Sequence, residues 1–419
     1  MTRQMAEDSW TKQKIWTCFD IVNGATPASG IAHFWDGDVS WVGPADLGRL
    51  SSREIHRGAR NLTRSGYESC GTTLVPKGTI ILSARAPIGH VAVAGKGLCF
   101  NQGCKGLRLK PAVKYGFAYW LILSLKRRLE ALGEGTTFVE LSRSKLKDVD
   151  FLLPPPSEQH AIAAFLDDKC AKIDEAVRIK EEQIKLLRER KQILIQQAVT
   201  RGLNPDAPMK DSGIDWIGQV PAHWEVKRFK YLFEQSRLPT RLGDGIVTAF
   251  RDGQVTLRSN RRLDGYTEAI LEGGYQGVRS GQLVLNSMDA FEGAIGVSES
   301  DGKCTPEYVI CNPIGSGLSQ YYFAYLLREM ALARYIQVIC NAVRQRAIRI
   351  RYNNLAHRFM VVPPHAEQLE IVEFIENTKT KIRDATSIKR DQINALTEYK
   401  TTLINAAVTG KIRITEDRL

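Results

Sequence analysis

No stretch of 18 or more apolar residues occurs in this chain, so nothing in it reads as a transmembrane helix. Its start, MTRQMAEDSW, lacks the basic-then-apolar order of a signal peptide, and the expected location is the cytoplasm. The eight cysteines (Cys18, Cys70, Cys99, Cys104, Cys170, Cys304, Cys311 and Cys340) contain no Cys-x-x-Cys pair, and the seven histidines show no metal-ligand spacing. Those absences argue against a zinc site and a dithiol redox motif and leave reduced, structural thiols as the expectation. Catalytic signatures are missing too. Gly89 to Gly95-Lys96 has five residues between its glycines where a phosphate loop has four, and it ends in Gly97 rather than Ser or Thr. Asp301-Gly-Lys303 fits half of a nuclease pattern, but Asp-Gly is a turn dipeptide. The prolines of Leu153-Pro-Pro-Pro156 and Val362-Pro-Pro364 lack the amide and aromatic that a base-flipping amino-methyltransferase site needs. No enzyme is read here, and no catalytic, metal-binding or cofactor-binding residue is assigned.

What the chain does have is positive charge and length. Its 419 residues, 43% hydrophobic and 25% charged, suit two or three globular domains. The formal charge of +12 favours a polyanionic partner. That charge is localised: residues 11–153 hold twenty Lys and Arg against eleven Asp and Glu, and residues 225–362 hold eighteen against thirteen. The stretches that follow each block are nearly neutral.

Adding 209 to a residue number superimposes two of those stretches without a gap. Pro154-Pro155 falls on Pro363-Pro364, Glu158-Gln159 on Glu367-Gln368, Phe165 on Phe374, and Ala198-Val199-Thr200 on Ala407-Val408-Thr409. Each copy follows a Pro-Pro pair and runs without Pro or Gly, so each reads as one long helix, with Gly202 and Gly410 as stops. Steps of three and four pick out Ile173, Val177, Lys180, Ile184, Leu187, Lys191, Leu194 and Ala198 in the first copy. The matching series is Ile382, Thr386, Lys389, Ile393, Leu396, Lys400, Leu403 and Ala407. This is a coiled-coil seam whose polar interruptions coincide, which points to mutual pairing; an amphipathic helix covering its own domain is the alternative. At 1.5 Å per residue, about 45 residues span roughly 65 Å.

The blocks before the helices are distant copies of each other. Thr79–Leu82 and His90–Val93 read as two strands joined by a Gly-containing turn, and Gln282–Leu285 with Ala294–Val297 repeats the pattern. The fold class is therefore α+β, with two α+β domains in tandem, each followed by a long helix. The expected divisions are residues 1–153, first domain; 154–203, first helix; 204–224, a linker with Pro205, Pro208 and Pro221; 225–362, second domain; and 363–413, second helix.

Arginine and Asn/Gln are the best bidentate readers of base edges, while phosphate contacts position the protein. In the first domain Arg49, Arg53, Arg57, Arg60 and Arg64 make an arginine-rich loop, with Arg85 and Asn101-Gln102 beside strand ends. In the second, Arg258, Arg261 and Arg262 form one cluster and Arg344, Arg346, Arg349 and Arg351 another. The last four lack acidic neighbours in sequence, and an alternating strand anchored by Ile348 and Ile350 would present them outward. A solvated charged face is the bland alternative for these runs. For Trp35, Trp41 and Trp224 core packing is favoured over base stacking. Arg188, Glu189 and Arg190, outside the seam, are available to a partner or simply to solvent.

In its order of motifs the chain resembles the specificity subunit of type I restriction–modification enzymes. The motifs are Gly24-Ala-Thr-Pro27 with Phe34-Trp35-x-Gly37-Asp38-Val-Ser-Trp41, the PPPSEQ and PPHAEQ helix openings, and SGIDWIGQVPAHW at 212–224. The resemblance implies two target-recognition domains, each reading half of a split double-stranded DNA site, on an antiparallel coiled coil. It implies that the coil sets the gap between half-sites and docks two methyltransferase subunits, which recruit restriction subunits. S-adenosylmethionine, ATP and Mg would then sit on those partners. Half-sites on one face of a duplex lie about 34–36 Å apart, within reach of such a spacer. A coiled-coil adaptor without sequence-specific DNA binding is the competing reading.

Overall fold

The computed structural model describes residues 10–135, 139–261, 273–340 and 349–414. The chain divides into two compact units, Met1–Glu181 with Arg390–Leu419, and Glu182–Lys389. No helix among the described residues is long and apolar enough to cross a membrane.

In the first unit the strands are β1 (Phe19–Asn23), β2 (Glu54–Ile55), β3 (Ile80–Ser83), β4 (Val91–Ala94) and β5 (Cys104–Leu109), ordered β1-β5-β3-β4-β2 across one sheet. The expected hairpin is present: Ile80 pairs with Val93 and Leu82 with Val91. Both faces of this sheet are covered. Ile80, Leu82 and Val93 point into one core, while Ile81, Ala92 and Ala94 point into another. That is why the strands read as continuous apolar runs rather than alternation. Helix α1 (Tyr115–Ser124) buries Phe117, Leu121 and Ile122 on the first face. Thr11–Lys14, entering the domain, pairs antiparallel with Asp150–Leu153, leaving it, and α2 (Pro156–Arg201) follows.

The second unit repeats this plan with four strands, β6 (Phe233–Gln235), β7 (Leu283–Asn286), β8 (Ile295–Val297) and β9 (Tyr308–Pro313), ordered β6-β9-β7-β8. This is the order β1-β5-β3-β4 again, without the extra edge strand. Glu225–Arg228 pairs with Phe359–Val362 as the entry and exit strands. Helix α3 (Gln320–Leu332) packs on the sheet and α4 (His365–Val408) ends the repeat. On α3, Glu329 is buried and accepts both hydrogen bonds of its carboxylate from Gln192 Nε2, at 2.7 and 2.9 Å. Burial pushes its carboxyl up to about 7, against the opposing pull of Gln192 and Arg328.

Each long helix is tied to its own domain by the repeated Glu-Gln pair. Gln159 is fully buried; its Oε1 accepts from the Lys114 N–H at 2.7 Å, and its Nε2 donates to the Pro154 and Ala112 carbonyls at 2.8 and 3.0 Å. Gln368 does the same for Ser319 N–H at 2.8 Å and for the carbonyls of Pro363 and Gly317 at 2.8 and 3.3 Å. The preceding glutamates each accept an indole N–H at 3.0 Å, Glu158 from Trp10 and Glu367 from Trp224. The stops are as expected: Gly202 and Gly410 sit at φ of 74° and 73°, the left-handed region that glycine adopts without strain.

The helices form an antiparallel coiled coil, visible in each unit by itself. In the first, the start of α2 (Ile162, Leu166, Ile173) shares a core with the end of α4 (Leu403, Ile404, Ala407). In the second, the end of α2 (Ile195, Ala198, Val199) shares one with the start of α4 (Ile371, Ile375). Of the seam residues, Ile173, Ile184, Ala198, Leu403 and Ala407 are buried, while Val177, Leu187, Leu194, Ile382, Ile393 and Leu396 are half-buried. The matched lysines differ. Lys400 Nζ bridges to Asp174 at 2.6 Å, whereas the repeat places Arg383 where a bridge to Lys191 would need an acid. Lys191 is half-buried, and burial first, then Arg328 and Lys379, lowers its ammonium pKa. Asp174 is mostly exposed, so Lys400→Met is expected to cost no more than about 1 kcal/mol, read by hydrogen exchange of the first unit's helical amides. A larger loss would mean that the bridge sets helix register.

Candidate nucleic-acid interface

The arginine-rich segment of the first unit is a braced structure. Asp46 accepts the backbone N–H of Gly43 at 2.8 Å and of Ala59 at 2.9 Å, closing the segment onto itself. At Gly58 a Cβ would lie 2.3 Å from the Trp41 carbonyl oxygen, so only glycine fits that approach. Trp35 is buried edge-on against Trp41 at 5.2 Å, and Trp41 Nε1 donates to the Ala25 carbonyl at 3.1 Å. Trp224 is fully buried. The indoles pack, in agreement with the sequence reading.

The structure sorts the arginines that sequence grouped together. Arg53 is withdrawn from the surface: it bridges to Asp167 at 2.9 Å, donates to the Gly116 carbonyl at 3.0 Å and lies over Tyr119 at 4.5 Å. It fastens the segment to α1 and α2, which leaves no guanidinium edge for a base. Arg60 lies on the Trp35 face at 4.3 Å with Asp36 at 3.4 Å, and so keeps one edge outward. Arg64 pairs with Glu68 at 3.0 Å while remaining 89% exposed. Arg85 is held by Glu140 at 2.8 Å. Asn101 turns its side-chain oxygen to the Gly103 N–H at 2.9 Å, and exposed Gln102 accepts from the Thr26 hydroxyl. Arg49 and Arg57 flank β2 and are exposed, Arg57 beside a concavity shared with Asp36, Asp38, Asn61 and Lys96.

In the second unit Arg258 and Arg261 follow the strand Val255–Leu257. Arg258 Nε donates to Thr248 Oγ1 at 3.2 Å; Arg261 lies on Phe250 at 4.2 Å and pairs with Asp252 at 2.9 Å. Arg262, Arg344 and Arg346 lie outside the described residues. Arg349–Arg351 is not a strand, contrary to the alternating pattern, and Arg351 instead precedes the short helix Tyr352–Ala356 with its N–H on Asn354 Oδ1 at 2.9 Å. Nor is Arg349 without a carboxylate, since Glu307 comes within 3.6 Å of it from elsewhere in the fold. Among the described residues no group of three or more His, Cys, Asp or Glu could hold a metal ion.

Sequence reasoning missed Asp46, Trp10 and the tying roles of the Glu-Gln pairs. The last had a signal, because a buried amide is a strong reason for an exact repeat of Glu-Gln after Pro-Pro.

Residues 7–186 match the family described as the type I restriction modification DNA specificity domain. The chain is 32% identical over 225 residues to the type I restriction enzyme MjaIX specificity subunit of Methanocaldococcus jannaschii, covering 52% of this chain and 50% of that one. It thus spans about half the length of that relative, and 40% of a second, the putative MjaX specificity subunit of the same organism. To the EcoBI specificity subunit of Escherichia coli it is 24% identical over 416 residues, 93% of this chain and 82% of that one. Among solved structures, a chain from work on complex assembly and conformational transition of the type I R-M system matches with a TM-score of 0.68 at 14% identity, covering 96% and 98% of the two chains. The HsdS subunit of Thermoanaerobacter tengcongensis matches with a TM-score of 0.56 at 15% identity, covering 96% and 97%. At these identities the likeness is one of fold.

Proposed function

We propose that this chain, which belongs to the specificity subunits of type I restriction–modification enzymes, reads a split double-stranded DNA site with one α+β domain on each half. The observation that carries this is the duplication: two basic domains with one strand order, each delivered by its own long helix. Duplicated readers suit a target with two half-sites, and divergence between them suits two different half-sites. Arg49 and Arg57 in the first unit and Arg258, Arg261 and Arg351 in the second are the side chains proposed to reach bases or phosphates. The exposed outer faces of the coil are proposed to dock two methyltransferase subunits, through which restriction subunits join. Catalysis, with S-adenosylmethionine, ATP and Mg, is assigned to those partners in the cytoplasm, and this chain supplies recognition. An adaptor without DNA specificity is the lesser reading, because the matching family and relatives are DNA specificity proteins.

Methylome sequencing with and without the gene is the direct test, and a split motif that vanishes with the gene is expected. In binding measurements on the complex, log affinity should fall linearly with log salt, by about 0.9 per phosphate neutralised. Arg57→Ala should cost about 1–3 kcal/mol and relax one half of the motif only. Salt-independent binding, or an unchanged methylome, would sink the reading.

A further inference from the structure

The first unit has a second basic surface, at the edge of the sheet opposite the arginine-rich segment. A concavity of about 760 Å³ opens there, beside β1, lined by Trp16, Asp20, Arg108, Arg143 and Lys147, with Phe19, Ile21 and Ser144 completing it. The three cations are exposed, and none has an ion-pair partner among the described residues. The one carboxylate, Asp20, is 3.5 Å from Lys110, whose ammonium also bonds the Trp16 backbone carbonyl at 2.9 Å, and the Trp16 side chain is exposed. Arg53, Arg60, Arg64 and Arg85, in contrast, each have a carboxylate.

The second unit shows that the fold requires neither the opening nor the charges. The repeat places Tyr352 at the position of Arg143 and Ala356 at that of Lys147. The Tyr352 ring packs near Phe229, at 6.1 Å, and its hydroxyl donates to the Phe233 carbonyl at 2.7 Å, filling the space. Strand register places Asn312, bonded by Gln282, where the first unit has Arg108. Arg108, Arg143 and Lys147 outnumber the single carboxylate of Asp20, which faces Arg108 across the strands, and this excess of positive charge favours a polyanion.

We infer that this surface grips the DNA sugar-phosphate backbone, as a positioning contact separate from the arginines around β2. The inference rests on the DNA-reading role proposed above. Geometry favours duplex DNA over an acidic polypeptide. Five strands about 4.8 Å apart separate the two edges by about 19 Å. A domain of that width set on a major groove about 12 Å wide overhangs it, so its far edge meets backbone. Contacts of this kind carry no sequence information.

The test uses the full-length chain in its methyltransferase complex, comparing wild type with Arg108→Gln/Arg143→Gln/Lys147→Gln. Binding to cognate and unrelated duplexes is followed across salt, with the methylome as a second readout. The variant's log–log slope should be smaller by about 2.7, so that it loses about 40-fold less affinity than wild type between about 50 and 200 mM salt. Affinity should weaken by the same factor on both duplexes at low salt, with the methylated motif unchanged. An unchanged slope overturns the inference, as does failed subunit assembly with an unchanged slope, which would mark an acidic protein partner. A changed motif overturns it too, because a base-reading surface is not a backbone grip. If wild type itself binds without salt dependence, the DNA reading fails, a result distinct from any of these.

Discussion

Gln368→Leu is expected to destabilise the second unit by about 3–9 kcal/mol. The leucine keeps the volume but strands the Ser319 N–H and the carbonyls of Gly317 and Pro363, all of which Gln368 serves from a fully buried position. Each buried polar group left without a partner costs about 1–3 kcal/mol. Gln159→Leu should do the same to the first unit through Lys114, Ala112 and Pro154. A single global unfolding energy is poorly defined for a chain of two units, so hydrogen exchange resolved by segment is the proper measurement. Amides of α3 should lose protection in the first variant, and those of α1 in the second. A loss below about 1 kcal/mol would mean that water replaces the amide.

The second large effect is electrostatic and follows pH. Glu329 has its folded pKa raised to about 7 from the ordinary value of 4.5. Between those values the folded state binds more protons than the unfolded state, so stability is greatest below 4.5 and declines as pH rises through 7. The shift amounts to about 3 kcal/mol. Glu329→Gln keeps a partner for Gln192 and removes the titration. The variant should be the more stable protein at pH 8 and match wild type near pH 4. Protection factors of the α3 amides in the two proteins, followed across pH 4–8, provide the comparison; parallel profiles would contradict the assignment.

The repeat by 209 residues, the two helices and their stops are legible in the sequence, because each is a local pattern written twice. The hairpin Ile80–Val93 is legible for a similar reason, since a turn and two apolar runs are adjacent in the chain. Side-chain partners were not. Arg53 finds Asp167 across 114 residues and Arg349 finds Glu307 across a fold, and no spacing rule connects such pairs. Arg64 and Glu68 are the exception, four apart on one helical turn. Lys191 and Lys400 look equivalent in the repeat, yet only Lys400 has an acid opposite it, because the position of its partner Asp174 is occupied by Arg383 in the other copy.

The division of the chain also dictates an order of events during synthesis. The second unit is one contiguous stretch, Glu182–Lys389, and has every residue it needs before the last segment leaves the ribosome. The first unit is assembled from both ends of that stretch: Ile15, Phe117 and Leu166 share a core with Leu403, Ala407 and Ile414. The domain made first therefore finishes last. Its apolar helix face waits as a nascent, uncovered surface while about two hundred further residues are added, some tens of seconds at elongation rates of about 5–20 residues per second. Chaperone dependence and aggregation during expression should accordingly track the first unit, and early termination within α4 should harm the domain farthest from it in sequence.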